Sequence, residues 1–261
     1  MVPFSSRIDG IYPYLDETLV AMELAYRDGD IRRVKEALVS DILKHASIET
    51  RSRAANVVVQ RFLPFDSQTF QIVRTPWLEF VNQPFSRDSK IKALWYIYAR
   101  GNPLFHLVVE ELHKERQETF SRAELGIVAS KVLGREVKGT ALDVLAVFLR
   151  DAGLIRFEKS KGKAINRLIP NTLPFSAFSF VLYHHFLDQG TIVPKITEVK
   201  DFFCNWYNQP EEETERLVRN APQGLWVIER MAHLDQLALV CNSMDEVLKR
   251  LTEATKENGR G

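Results

Sequence analysis

Along most of the chain, apolar residues recur three and four positions apart. In "IRRVKEALVSDILKH" they are Ile31, Val34, Leu38 and Ile42, with charges on the opposite side, which is the pattern of a helix with one buried stripe. "YLDETLVAMELAY" and "RSRAANVVVQRFL" repeat the period, and Asp30 and Thr50 stand where N-caps would accept first-turn amides. "FQIVRTPWLEFV" reads as a helix interrupted near Pro76. "DSKIKALWYIYARG" and "NPLFHLVVEELHKERQE" read as two more, Gly101 ending one and Pro103 opening the next. Residues 1–118 are therefore predicted to form an all-α bundle.

From 119 to 170 the pattern changes. "SRAELGIVASKVLG" opens on Ser121 and Glu124 in S-x-x-E capping-box spacing, "GREVKG" makes a short turn, and "TALDVLAVFLRDAG" is a second helix that Gly153 stops. "LIRFEKSKGKAINRLIP" follows as extended run, lysine-rich turn and extended run. Helix, tight turn, helix and hairpin is the order of a winged helix-turn-helix. Residues 171–261 repeat it less clearly: "TEVKDFFCNWYN" and "PEEETERLVRNA" are helical, and "GLWVIERMAHLDQLALV" is an extended pair after Gly224, 71 residues beyond Gly153. Ser243 and Glu246 give a capping box for a terminal helix. The expected fold is mainly α: a helical bundle (1–118), a basic winged helix-turn-helix (119–170) and a second, weaker winged-helix-like α+β unit (171–261).

Charge sharpens this division. The formal net charge is +1, yet the three segments hold 16 Lys/Arg against 16 Asp/Glu, 10 against 5, and 9 against 13. An anionic partner is therefore sought in the middle segment. Lys159, Lys161 and Lys163 cluster at the hairpin tip, Arg156 and Arg167 lie on its strands, and Lys131, Arg135, Lys138 and Thr140 come from the preceding helix, turn and second helix. Phosphate binding needs point charges that displace counterions, which a lysine tip supplies; a merely solvated hairpin tip is the alternative. The second helix buries Leu142, Leu145, Phe148, Leu149 and Ala152, while Val144 and Val147 make its other side apolar and Asp143 stands near the groove position. It offers few base-reading side chains, so contact should rest on phosphates with low sequence specificity. Arg51 and Arg53 in the bundle form a second basic candidate; an acid-paired helix face is the alternative there. In the last segment Glu211, Glu212, Glu213 and Glu215 would repel phosphate.

Other functions find less support. The longest nearly apolar stretch, "FSAFSFVLYHHFL", is too short to span a bilayer, which needs ~20 residues. No basic-then-apolar leader follows Met1, and Cys204 and Cys241 make no CxxC, so a reducing, cytoplasmic setting is expected. Nucleotide-cradle, hydrolase-elbow and zincin motifs do not occur, and neither enzymatic activity nor a cofactor is expected. His106, Glu110 and His113 share a helical face that could hold a metal, although amphipathic helices produce such triples often. Trp77, Trp95, Trp206 and Trp226 are scattered in the manner of core residues.

"LVAMELAYRDGDIRRVKEALVSDILKHASIETRSRAANVVVQRFL", "ALWYIYARGNPLFHLVVEEL" and "KGTALDVLAVFLRDAGLI" resemble the BrxA family, the small component of BREX bacteriophage-exclusion systems. The similarity extends over most of residues 15–170 and more loosely to "GLWVIERMAHLDQLALVCNSMDEVLKRL". It implies a mostly helical, non-catalytic protein that binds double-stranded DNA and works with other phage-defence subunits. The poorly polar second helix is where the DNA expectation is weakest. A protein-interaction adaptor that docks other subunits without touching DNA is the other expectation.

Overall fold

The computed structural model describes residues 14–258 except 46, 116–117, 138, 161–162, 223 and 232–233. The chain is mainly α-helical, with small antiparallel sheets. The bundle comprises α1 (Leu15–Asp28), α2 (Ile31–Ala37), which runs into a π-turn (Leu38–Ile42), α3 (Ile48–Phe62), α4 (Pro76–Val81), α5 (Arg87–Gly101) and α6 (Leu104–Lys114). Asp30 caps α2 as its position suggests, accepting from Arg32 N at 2.8 Å. Thr50 does not cap α3; the helix begins earlier and Ser47 holds the cap position. The expected helix through Phe70–Thr75 is absent as well. Pro76 crowds the residue before it out of the helical region, so Thr75 is extended (φ −129, ψ 154) and instead caps α4 by accepting from Leu78 N.

The winged unit follows as β1 (Thr119–Phe120), α7 (Arg122–Leu133), α8 (Thr140–Asp151), β2 (Ile155–Ser160) and β3 (Lys163–Leu168). Both arms of the capping box form: Ser121 Oγ accepts from Glu124 N at 3.2 Å, and Glu124 Oε2 accepts from Ser121 N at 2.6 Å. These bonds, the backbone amide first, hold the Glu124 carboxyl below its ordinary range. Val144, expected on the outer side of α8, is buried.

After α9 (Phe175–Asp188) come α10 (Ile196–Tyr207), α11 (Glu211–Arg219), β4 (Trp226–Met231), β5 (Leu234–Leu239) and α12 (Met244–Asn258). At the start of α12, Ser243 Oγ accepts from Glu246 N, but the Glu246 carboxylate takes the amide of Asn242 rather than that of Ser243. The repeat seen at the Gly-Leu junctions extends through both hairpins. β4 and β5 lie 71 residues after β2 and β3, and Ile169 N bonds Leu154 O at 3.0 Å as Val240 N bonds Leu225 O at 3.0 Å. The edge contact recurs too, through a short segment that is not a strand of its own. Leu168 N bonds Glu118 O in the first unit, and Leu239 N bonds Ile192 O in the second.

Each junction glycine has positive φ, +75 at Gly153 and +93 at Gly224, and each is overlain by a cation from another helix. Lys92 Nζ donates to Ala152 O at 2.5 Å and Arg250 Nη1 to Gly224 O at 2.5 Å. A side chain at either glycine would therefore meet backbone strain and a clash with the cation. Burial pushes the Lys92 ammonium down to about 8.

One apolar cluster runs from Leu15 to Leu251 and joins the bundle to both winged units. Its axis is α9, the apolar stretch too short for a membrane, in which Ala177–His184 are all buried. Among the described residues no helix is long and apolar enough to cross a membrane. Beside α9 lies a histidine–aromatic layer: His106 stacks on Trp206 at 4.0 Å, His185 stacks on Phe202 at 3.9 Å, and His184 packs edge-on to Tyr96 at 5.5 Å. Burial holds all three imidazoles down at about 4. The Arg100 guanidinium, which donates to His184 Nδ1 at 3.1 Å and pairs with Asp188, lowers His184 and His185 further. In the unfolded chain these groups titrate near 6.5, so between about 6.5 and 4 the unfolded state binds more protons. Stability is accordingly full above pH ~6.5 and falls as the pH drops toward 4, by on the order of 2 kcal/mol per imidazole. Urea midpoints measured at pH 7.5, 6 and 5 should decline in that order, and His185→Phe should flatten the decline. A constant midpoint would mean that the imidazoles are not held neutral by the fold.

Candidate nucleic-acid interface

β1 pairs with β3, which pairs with β2, and the register decides which side chains share a face. Phe120, Ile155 and Leu168 turn inward and are buried. On the outer face Thr119, Arg167 and Arg156 are direct cross-strand neighbours in one row. Arg156 is exposed and has no ion pair among the described residues, whereas Arg167 pairs with Glu158 at 3.2 Å across the ribbon. Lys159 stands opposite Ala164 and Lys163 opposite Ser160 at the end of the hairpin. Their side chains, and Lys161 and Lys138 altogether, lie outside the described residues.

The other expected contacts are divided. Lys131 is turned toward α6, where Glu111 and Glu115 bind its ammonium, the latter at 3.0 Å, and raise its pKa. These exposed ion pairs offset its charge within the protein. Arg135 is exposed in the turn between α7 and α8, and Thr140 is exposed at the first position of α8. Asp143 does not stand as an unbalanced negative charge. Arg122 Nε donates to it at 2.7 Å and Arg122 Nη2 to Gly139 O at 3.2 Å, holding the Asp143 carboxyl below its ordinary range. This clamp brings together residues 21 apart in sequence and ties the start of α8 to the start of α7. Arg122 and Thr119 were not among the expected site residues. The only sequence signal for the strand that carries Thr119 is one apolar residue before a capping box.

In the bundle, Arg53 pairs with Glu49 at 2.5 Å, both exposed, as an acid-paired helix face would have it. Arg51 is half-buried, its Nε covered and without a hydrogen-bond acceptor; it lines an open groove of about 620 Å³ with Lys35, Glu36 and Ile48. The possible metal triple is divided among separate partners. His106 stacks on Trp206, Glu110 pairs with Lys114 at 2.5 Å, and His113 faces Cys204 Sγ at 3.2 Å and Asn208 Oδ1 at 3.2 Å. Among the described residues no group of three His, Cys, Asp or Glu could hold a metal ion. The tryptophans serve packing: Trp95 is fully buried, and Trp77 and Trp226 donate to the Phe62 and Val218 carbonyls at 2.8 and 2.9 Å.

The chain matches no family model and no curated protein sequence. Among solved structures it is similar to SspB, both in an SspB crystal structure and in a magnesium ion-bound one. Each comparison gives a TM-score of 0.62 at 12% identity and covers 97% of this chain and 88% of that one. At that identity the likeness is one of fold.

Proposed function

We propose that the protein is a non-enzymatic, cytoplasmic subunit that binds double-stranded DNA, mainly through phosphates, by way of its first winged unit. The observation that carries this reading is the outer face of the β1–β3–β2 sheet. There an exposed Arg156 stands beside Arg167, and the sequence joining the two strands holds three lysines within five residues, Lys159, Lys161 and Lys163. Such a face supplies point charges without a base-reading constellation, because α8 shows the outside only Thr140, Asp143, Arg150, Asp151 and small or half-buried apolar side chains. The resemblance to the BrxA family supports a place in bacteriophage defence beside other subunits of such a complex, and the fold shared with SspB is compatible with it.

A titration of unrelated duplexes of equal length tests the reading. Their affinities are expected to fall within roughly tenfold of one another, far below the ~10³ or greater preference of specific binders, and to weaken steeply as salt is raised. A strong preference for one short sequence would refute phosphate-led binding. No binding at low salt would leave the adaptor reading, which the exposed carboxylates of Glu211 and Glu212 at the head of α11 favour for the second unit.

A further inference from the structure

The 71-residue repeat allows the two units to be compared position by position. Arg156 corresponds to Val227 and Arg167 to Ala238 through the shared hairpin register. An edge segment corresponds as well: Lys195 bridges Gln236, and the amides of Leu237 and Leu239 donate to Pro194 O and Ile192 O, which sets Val193 opposite Ala238 as Thr119 stands opposite Arg167. The row that reads Thr119–Arg167–Arg156 in the first unit thus reads Val193–Ala238–Val227 in the second. Val227 and Val193 are 54% and 38% exposed, and Val240, just past the end of β5 and two positions beyond Ala238, is 37% exposed. Three exposed valines and the half-buried Ala238 therefore neighbour one another on one sheet face where the first unit carries cations. No phosphate would be held there, and exposed apolar clusters of this kind mark protein contacts.

We infer that this face joins two copies of the chain. The row next toward the tip is Lys195–Gln236–Glu229, positive at one edge, neutral in the middle and negative at the other. A two-fold axis along β5 lays the sheet face to face on its copy. Ala238 meets Ala238, each Val193 meets the other copy's Val227, and each Lys195 meets the other copy's Glu229. The pattern is self-complementary, as an isologous interface requires. Sheets packed this way stand ~10 Å apart with their strands nearly aligned, which the valines can fill. Glu229 is exposed and has no ion pair among the described residues, while Lys195 lies 3.5 Å from Glu198 and can turn to a second carboxylate. A small face of two strands and an edge segment gives a contact at the low end of the interface range, so dissociation in roughly the micromolar range is expected. The inference does not depend on DNA binding.

Light scattering on the full chain from about 1 to 200 µM tests it. The mass should rise from that of the 30.1 kDa chain toward twice that value. Val227→Arg with Ala238→Arg should hold the protein monomeric throughout, with its circular dichroism and unfolding midpoint unchanged. Lys195→Glu and Glu229→Lys should each weaken the dimer at least about tenfold. An equimolar mixture of those two single variants should recover it, because each copy then offers what the other lacks. A monomer at every concentration, a dimer that survives the arginine pair, or a mixture of charge variants that fails to recover would each overturn the proposal. Protection of the two valines only in the presence of a different protein would do so too.

Discussion

Phe148→Ala is expected to destabilise the protein by about 3–5 kcal/mol, with Phe148→Leu costing markedly less, as read from urea unfolding midpoints. Phe148 is the side chain by which α8 enters the bundle. It is fully buried, with ring centroids 4.6 Å from Tyr98, 4.7 Å from Phe105 and 4.9 Å from Trp95. Those partners belong to α5 and α6, so the cavity left by alanine would open between the bundle and the first winged unit. Helices held by rigid aromatic neighbours on several sides close such a cavity poorly, which places the cost toward the upper part of the usual range. Lys92 reinforces the same junction from α5 by capping the Ala152 carbonyl at the end of α8. A loss below about 1 kcal/mol for Phe148→Ala would mean that the winged unit is not anchored through this ring.

The winged order was legible because its punctuation is local. A capping box, a stopping glycine and a polar tip each act within a few residues, and the 71-residue spacing of Gly153 and Gly224 already indicated the repeat. What could not be read depends on pairings made at a distance. β1 is two residues long and is defined by its bonds to β3 rather than by any period of its own. The row Thr119–Arg167–Arg156 exists only once the register is known, and so does its apolar counterpart in the second unit. Lys131 has a basic spacing in the sequence, yet two glutamates 20 and 16 residues earlier take its charge. Asp143 seemed to oppose DNA and is instead clamped by Arg122. The helix expected through Phe70–Thr75 also gives way to pairings made at a distance: Phe70 is left-handed (φ 60), Gln71 bridges Asp30 and Ile72 bridges Phe65, while Pro76 holds only Thr75 out of the helical region.

Replacing Arg156, Lys159, Lys161 and Lys163 together by alanine is expected to weaken duplex binding on the order of 10²–10³-fold near 0.15 M salt. The slope of log K against log salt should become shallower by ~2–4. Every phosphate that the protein no longer neutralises takes ~0.9 from that slope on B-DNA, so the change in slope reports how many phosphates these four cations hold. Arg167 is left in place because its guanidinium is bonded to Glu158, and its removal would release a carboxylate on the same face. Lys131→Ala serves as the internal comparison. Its ammonium is already bound by Glu111 and Glu115, so its removal should leave the slope unchanged and unsettle at most the packing of α6 against α7. Folding of the fourfold variant should hardly change, since polar substitutions at a hairpin's turn and outer face usually shift stability by no more than about 0.5 kcal/mol each. Unaltered affinity and slope in a well-folded fourfold variant would remove the wing from the reading. The groove beside Arg51 would then be the next surface to test, because there the cations Lys35 and Arg51 have no ion pair among the described residues.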